Sequence, residues 1–222
     1  MPPKSIAEFN GLRSNSLRIG TGNLIRPCRE FVRAIREFFP PDHIDGALRV
    51  ALADLGKLMG LEASRPDNQT RPKKTGPDVL WWHAPSKFGV ALEAKTNKKA
   101  NSQYQKKDDI GQFHDHLVYL KNKFPAETFF QAIVGPLLRV SDESNPTDEL
   151  RIVPLEGFQE LAGRVEQMYN FIETSTDSDA LAVKAERWLQ MLGLSWPQCF
   201  DGLPYTLAID LKKPDAQSEE VA

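Results

Sequence analysis

Cysteine is almost absent from this chain. Cys28 and Cys199 are the only two among 222 residues, with no C-x-x-C spacing and no metal partners nearby in sequence. This excludes a disulfide framework or a zinc ribbon and makes two reduced thiols the expectation. No apolar run approaches the length of about 18 residues needed for a membrane-spanning helix. The opening MPPKSIAEFN lacks the apolar core of a secretory signal, so the expected location is cytoplasmic, with no membrane partner. There is no internal repeat, and no helix-turn-helix or zinc-finger pattern that would read bases. The net charge is only −2, so overall composition makes no case for a polyanionic partner.

What is present is an ordinary globular composition, 41% hydrophobic and 26% charged. The length allows one domain with a substantial core, or a domain with an appendage. The charge is unevenly placed. Between Arg71 and Lys107 lie nine basic residues (Arg71, Lys73, Lys74, Lys87, Lys95, Lys98, Lys99, Lys106, Lys107) and two acids, Asp78 and Glu93. That segment carries +7, so the remainder carries −9. A local basic field around a pair of acids is the pattern expected of a surface that meets phosphate. A solvated lysine-rich loop would look the same in composition.

The stretch Thr75–Thr96, TGPDVLWWHAPSKFGVALEAKT, organises the chain. Two short apolar runs flank a loop bearing Pro, Ser and Gly and read as an antiparallel hairpin. With Pro85 to Phe88 as the loop, Ala84 faces Gly89, Leu80 faces Glu93 and Asp78 faces Lys95. Asp78, Glu93 and Lys95 then share one face of the sheet, with the two acids diagonal neighbours about 7–8 Å apart. Two carboxylates so placed can share a hard cation with oxygen ligands at about 2.0–2.6 Å. A slip by one residue would turn Asp78 to the other face. The opposite face presents Val79, Trp81, Val90, Leu92 and Ala94 as core. Trp82, on the acidic face, is read as packing, and His83 is given no role.

Pro77-Asp78, fourteen intervening residues, then Glu93-Ala94-Lys95 resembles the signature of the PD-(D/E)XK nuclease superfamily, the restriction-endonuclease-like fold. Residues 51–67 resemble that superfamily's opening helix running into its first strand. Residues 104–116 resemble the helix after the Glu-X-Lys strand, with Gln112 at a position that often orients water or contacts the site. The resemblance covers about residues 42–155 and implies an α/β fold, a mixed central β-sheet flanked by α-helices. It implies Mg²⁺ or Mn²⁺ held by Asp78, Glu93 and the Ala94 carbonyl, and a further acid from the opening helix. Asp54 is favoured for that acid because Asp is a poor mid-helix residue and this one borders the apolar stripe. Asp45, which also suits the first helical turn, and Glu62 are the alternatives.

Elsewhere, residues 1–41 read as a lead-in followed by a helix over PCREFVRAIREFF. Residues 61–66 read as a strand, and a long helix is expected from Tyr104 to Asn122, with Gln112, His116 and Tyr119 along one ridge. His114 and His116, two apart on a helix, cannot easily share an ion. TFFQAIVGP (128–136) and LRIVPL (150–155) read as strands. Residues 156–213 read as a helical extension packed on the core, with a last strand at 205–211, and 214–222 as a disordered tail.

The function implied is a metal-dependent DNA endonuclease, with RNA left open, in a bacterial restriction, phage-defence or mobile-element setting. Asp78, Glu93, Lys95 and Gln112 are its catalytic candidates. Arg71, Lys73, Lys74, Lys98, Lys99, Lys106 and Lys107 are its nucleic-acid contacts. A helicase or ATPase could supply targeting, and a homodimer is compatible. The alternative is a catalytically inactive nucleic-acid-binding or protein-interaction module on the same fold.

Overall fold

Apolar residues alternating at period two build the centre of the protein, and helices of period 3.6 cover it. The computed structural model describes residues 44–66, 76–95, 104–105, 107–124, 128–174 and 181–212. The lead-in, the helix expected over residues 27–39 and the tail lie outside them. The elements are α1 (Ile44–Leu58), β1 (Glu62–Ser64), β2 (Val79–His83), β3 (Phe88–Ala94), β4 (Tyr104–Gln105), α2 (Lys107–Lys123), β5 (Thr128–Val134), β6 (Arg139–Val140), β7 (Leu150–Val153), α3 (Leu155–Thr174), α4 (Leu181–Met191) and β8 (Thr206–Leu207). Six strands form one sheet in the order β1-β2-β3-β5-β7-β8, while β4 and β6 pair separately. β1, β2 and β3 form an antiparallel meander, β5 and β7 run parallel to β3, and β8 returns antiparallel. The fold is therefore α/β, an open mixed sheet flanked by helices. No helix among the described residues is long and apolar enough to cross a membrane.

The hairpin forms with its loop one residue earlier than expected. Ala84–Ser86 wind into a 3-10 turn and Lys87 takes a left-handed conformation at φ 52°. His83 pairs with Phe88, and the ladder runs through Leu80↔Ala91 to Val79↔Leu92. The expected pairing of Leu80 with Glu93 is thus corrected by two residues. Because side chains alternate at period two, a two-residue shift leaves every side chain on its expected face. Continuing the ladder one step sets Asp78 beside Glu93 rather than beside Lys95.

The two faces of the sheet have different tenants. One carries Val79, Trp81, Val90, Leu92, Ala94, Ala132, Val134 and Val153, all buried against α1, α3 and the segment around Phe200. Phe158, Leu161, Ala162 and Val165 of α3 lie in this core with Trp81. Trp81 is at its centre, edge-on to Phe158 at 6.1 Å, with its indole N–H donating to the Leu52 carbonyl of α1 at 2.8 Å. The other face is covered by α2, whose Ile110 and Phe113 pack on Ile133, Leu150 and Ile152, and whose Leu120 packs on Leu80 and Ala91. Trp82 lies on this face near Phe124 (5.0 Å) and stacks with Phe129 (5.9 Å), which accounts for it as packing.

Two elements differ from expectation for hydrogen-bonding reasons. The long helix begins at Lys107, not Tyr104, because Tyr104 and Gln105 pair as a strand with Arg139 and Val140. The last strand is cut to Thr206–Leu207, since Ile209–Leu211 wind into a 3-10 turn.

Gly56 lets α1 lie against the sheet: a Cβ there would fall 2.5 Å from the Trp81 ring. Alanine would favour the helix by about 1 kcal/mol, but overpacking costs about 1–3 kcal/mol or more, and the indole, bonded to Leu52, cannot yield cheaply. Gly56→Ala is therefore expected to lower stability by up to about 2 kcal/mol net, measured by urea unfolding. An unchanged or higher midpoint would contradict this packing.

Candidate active site

The end of the sheet where β2 begins and β3 stops gathers two buried carboxylates. Asp78 precedes β2 and Glu93 is the penultimate residue of β3; both are about 4% exposed. Each carboxylate takes a backbone amide of the opposite strand. Asp78 N–H donates to Glu93 Oε2 at 3.3 Å, and Ala94 N–H donates to Asp78 Oδ2 at 3.0 Å. The acids are thereby held at the point where the ladder ends.

Lys95 follows β3 and turns back onto this pair. Its Nζ lies 3.1 Å from Glu93 Oε1, donates to Gln112 Oε1 at 2.8 Å, and is 3.7 Å from Asp109 Oδ1. Asp109, Gln112 and His116 recur at helical spacing along one ridge of α2, which is how a single helix reaches both Lys95 and Glu93. His116 is buried with Nδ1 3.5 Å from Glu93 Oε2. Strand β5 closes the backbone side: Lys95 N–H donates to the Val134 carbonyl at 2.9 Å, and a Cβ on Gly135 would fall 2.7 Å from the Lys95 carbonyl oxygen. Only glycine lets the two strand ends pass this closely.

Sequence reasoning anticipated Asp78, Glu93, Lys95 and Gln112, and the structure brings these four together. Asp54 is not with them: its carboxylate is half exposed and binds Lys57 at 2.8 Å on the outer side of α1. Glu62 is exposed opposite Trp82, at the far end of β2 from Asp78. The side chain of Asp45 lies outside the described residues. What α1 delivers is a cation, Arg49, whose Nε is 3.1 Å from Asp78 Oδ2. Arg49, Asp109 and His116 were missed. The ridge spacing from Gln112 was the available signal for the last two; nothing local marked Arg49. Of the basic residues, Lys107 is exposed and 3.8 Å from Glu143. Arg71, Lys73, Lys74, Lys98, Lys99 and Lys106 lie outside the described residues.

Burial sets the protonation of this cluster. The Asp78 carboxyl is raised to about 6, first by desolvation and then by the charge of Glu93, against the pull of Arg49, the Ala94 amide and Lys95. Glu93 is also raised by burial, with Lys95 opposing. His116 is lowered to about 4, chiefly by burial and against the attraction of Asp78, so its imidazole is neutral at neutral pH.

Among the described residues no group of three or more His, Cys, Asp or Glu is gathered to hold a metal ion. The donor chemistry of Asp78 and Glu93 nonetheless fits a hard divalent ion. Mg²⁺ is commonly bound through one or two carboxylates, with water and substrate phosphates supplying the rest. Comparison with protein-family models and with curated protein sequences finds no match.

Raising a carboxyl from 3.8 to about 6 makes its ionised form cost the folded state up to about 3 kcal/mol. The protonated form is favoured, so stability is lost as pH rises from about 4 through about 6. His116 works oppositely, losing stability as pH falls from 6.5 towards about 4. Asp78→Asn should therefore melt higher than wild type in EDTA at pH 8, with the gap closing by pH 4. A gap that widens on acidification would refute the assignment.

Proposed function

We propose that this chain is a metal-dependent nuclease that hydrolyses DNA phosphodiester bonds on a restriction-endonuclease-like fold. The observation that carries the reading is the convergence of Asp78, Glu93, Lys95 and Gln112, from three elements, on one end of the sheet. The Lys95–Gln112 hydrogen bond at 2.8 Å joins residues 17 apart in sequence. Helix α1, the β1-β2-β3 meander, α2 and the parallel β5 follow in the order that the resemblance implies, which supports the fold assignment.

Asp78 and Glu93 would hold Mg²⁺ or Mn²⁺, with the Ala94 carbonyl as a further ligand. When bound, the ion supplies Lewis acidity toward the scissile phosphate and lowers the pKa of water. Lys95 holds the attacking water, or neutralises charge that develops on the phosphate, in a site where water is sparse. Gln112 accepts from Lys95 through Oε1, which fixes the ammonium and turns its own NH₂ outward as a donor to water or phosphate. Neutral His116 sits beside Glu93, its Nδ1 3.5 Å from Oε2, without adding charge. Gly135 and Val134 hold the Lys95 backbone in place. The basic residues between Arg71 and Lys107 would meet the phosphate backbone.

One observation favours a second reading, a nucleic-acid-binding module without catalysis: Arg49 and Lys95 already neutralise both acids. Cleavage of linear, circular and single-stranded DNA with Mg²⁺, Mn²⁺ or EDTA separates the two. The nuclease reading expects divalent-dependent cleavage that falls about 100-fold or more in Lys95→Ala, the scale of losing one transition-state donor. Salt-sensitive DNA binding with no cleavage under any condition would select the second reading. Gly135→Ala, which shifts Lys95 without removing it, is expected to slow cleavage about 10- to 100-fold while Mn²⁺ binding, measured by calorimetry, persists.

A further inference from the structure

We propose that Arg49 is a resident counter-ion of Asp78 that a divalent cation must displace, so that metal loading is an exchange of one cation for another. The inference rests on the nuclease reading and names what governs occupancy of that site. Arg49 comes from α1 on the apolar side of the sheet, yet its Nε reaches Asp78 Oδ2 at 3.1 Å, with the two side chains 17% and 5% exposed. Asp54, the favoured acid of this helix, is turned to Lys57 instead. The helix therefore brings positive charge where a metal site would gain from negative charge.

Arg49 and Lys95 meet different acids. Lys95 adjoins β3 and is held by Glu93, Gln112 and the neighbouring Asp109 on α2. Arg49 lies on a separate element, and its guanidinium shares Oδ2 with the Ala94 amide, which keeps Asp78 oriented if the arginine leaves. A divalent ion at about 2.0–2.6 Å from Asp78 would stand within a few ångströms of that guanidinium. Two such positive charges repel strongly where little water screens them. Without metal the pairing has a clear use: a buried carboxylate stripped of its partner is costly, and Arg49 spares the empty site that cost. Arg49 is thus a positioning residue whose charge sets the affinity for metal.

The test is calorimetric titration of the full-length chain with Mn²⁺, comparing wild type, Arg49→Met and Arg49→Lys, with thermal melts in EDTA and in Mn²⁺. Arg49→Met should bind Mn²⁺ on the order of tenfold more tightly, and Arg49→Lys should stay near wild type. In EDTA Arg49→Met should melt below wild type, and Mn²⁺ should raise its melting temperature by more. If Arg49→Met is unfolded in EDTA, Mn²⁺ should restore a cooperative melt, and failure to do so overturns the proposal. Wild type that binds Mn²⁺ while folded Arg49→Met binds it equally or more weakly also overturns it, and leaves the nuclease reading standing. Absence of Mn²⁺ binding in all three proteins removes both.

Discussion

Two backbone amides, those of Asp78 and Ala94, each donate to the carboxylate of the opposite strand, and the rest of the site depends on that exchange. At this point the β2–β3 ladder has run out of backbone partners, and the side chains of Asp78 and Glu93 replace the missing acceptors. A buried N–H left unpaired would cost about 1–3 kcal/mol, so the strands have reason to keep these acids. The same bonds fix both carboxylates in orientation. Acids satisfied in this way keep a fixed orientation even though they lie among apolar residues.

The sheet separates stability from chemistry by its two faces. Trp81, Phe158, Phe200 and the aliphatic residues around them fill one side and bind α1 and α3 to it. The other side is apolar under Ile110, Phe113 and Leu120 of α2, with Gln131 buried among these residues and the acids at the strand ends. Helix α2 serves both purposes because its buried stripe and its Asp109-Gln112-His116 ridge are adjacent. Helix α1 also has two parts to play. Leu48, Leu52 and Leu55 enter the core, while Arg49 reaches the acids. Close packing at Gly56 and Gly135 couples these layers to the site, since both helix and strand approach at distances that a Cβ would forbid.

Electrostatically the cluster is balanced and under tension. Two carboxylates raised by burial stand against Arg49 and Lys95, with His116 kept neutral beside them. Buried charges of this kind gain little over an apolar replacement, because desolvation offsets most of the attraction. Their cost is easier to understand for a site that exchanges one of its cations than for a purely structural network.

The sequence by itself determined β2, β3, β5 and β7 and which residues of the hairpin share a face, and with the resemblance it named the four residues that meet. Alternation at period two in VLWWH and FGVALEA sets which side chains share a face, and that parity is unaffected by a two-residue change in register. It therefore placed Asp78, Glu93 and Lys95 together even though the pairing itself was off by two. Periodicity also placed α2, apart from its start, and the ridge that carries Gln112 and His116. It could not say which residue of α1 would face the acids. A helix pattern defines the buried stripe, but which flanking residue reaches a neighbouring element depends on the rotation and approach of the whole helix. Here those are decided by Gly56 against the Trp81 ring and by the indole bond to Leu52. The tertiary structure thus turned Asp54 to solvent, brought Arg49 to Asp78, and set His116 and Asp109 beside Glu93 and Lys95. Contacts between elements distant in sequence made those choices, and local pattern carries no record of them.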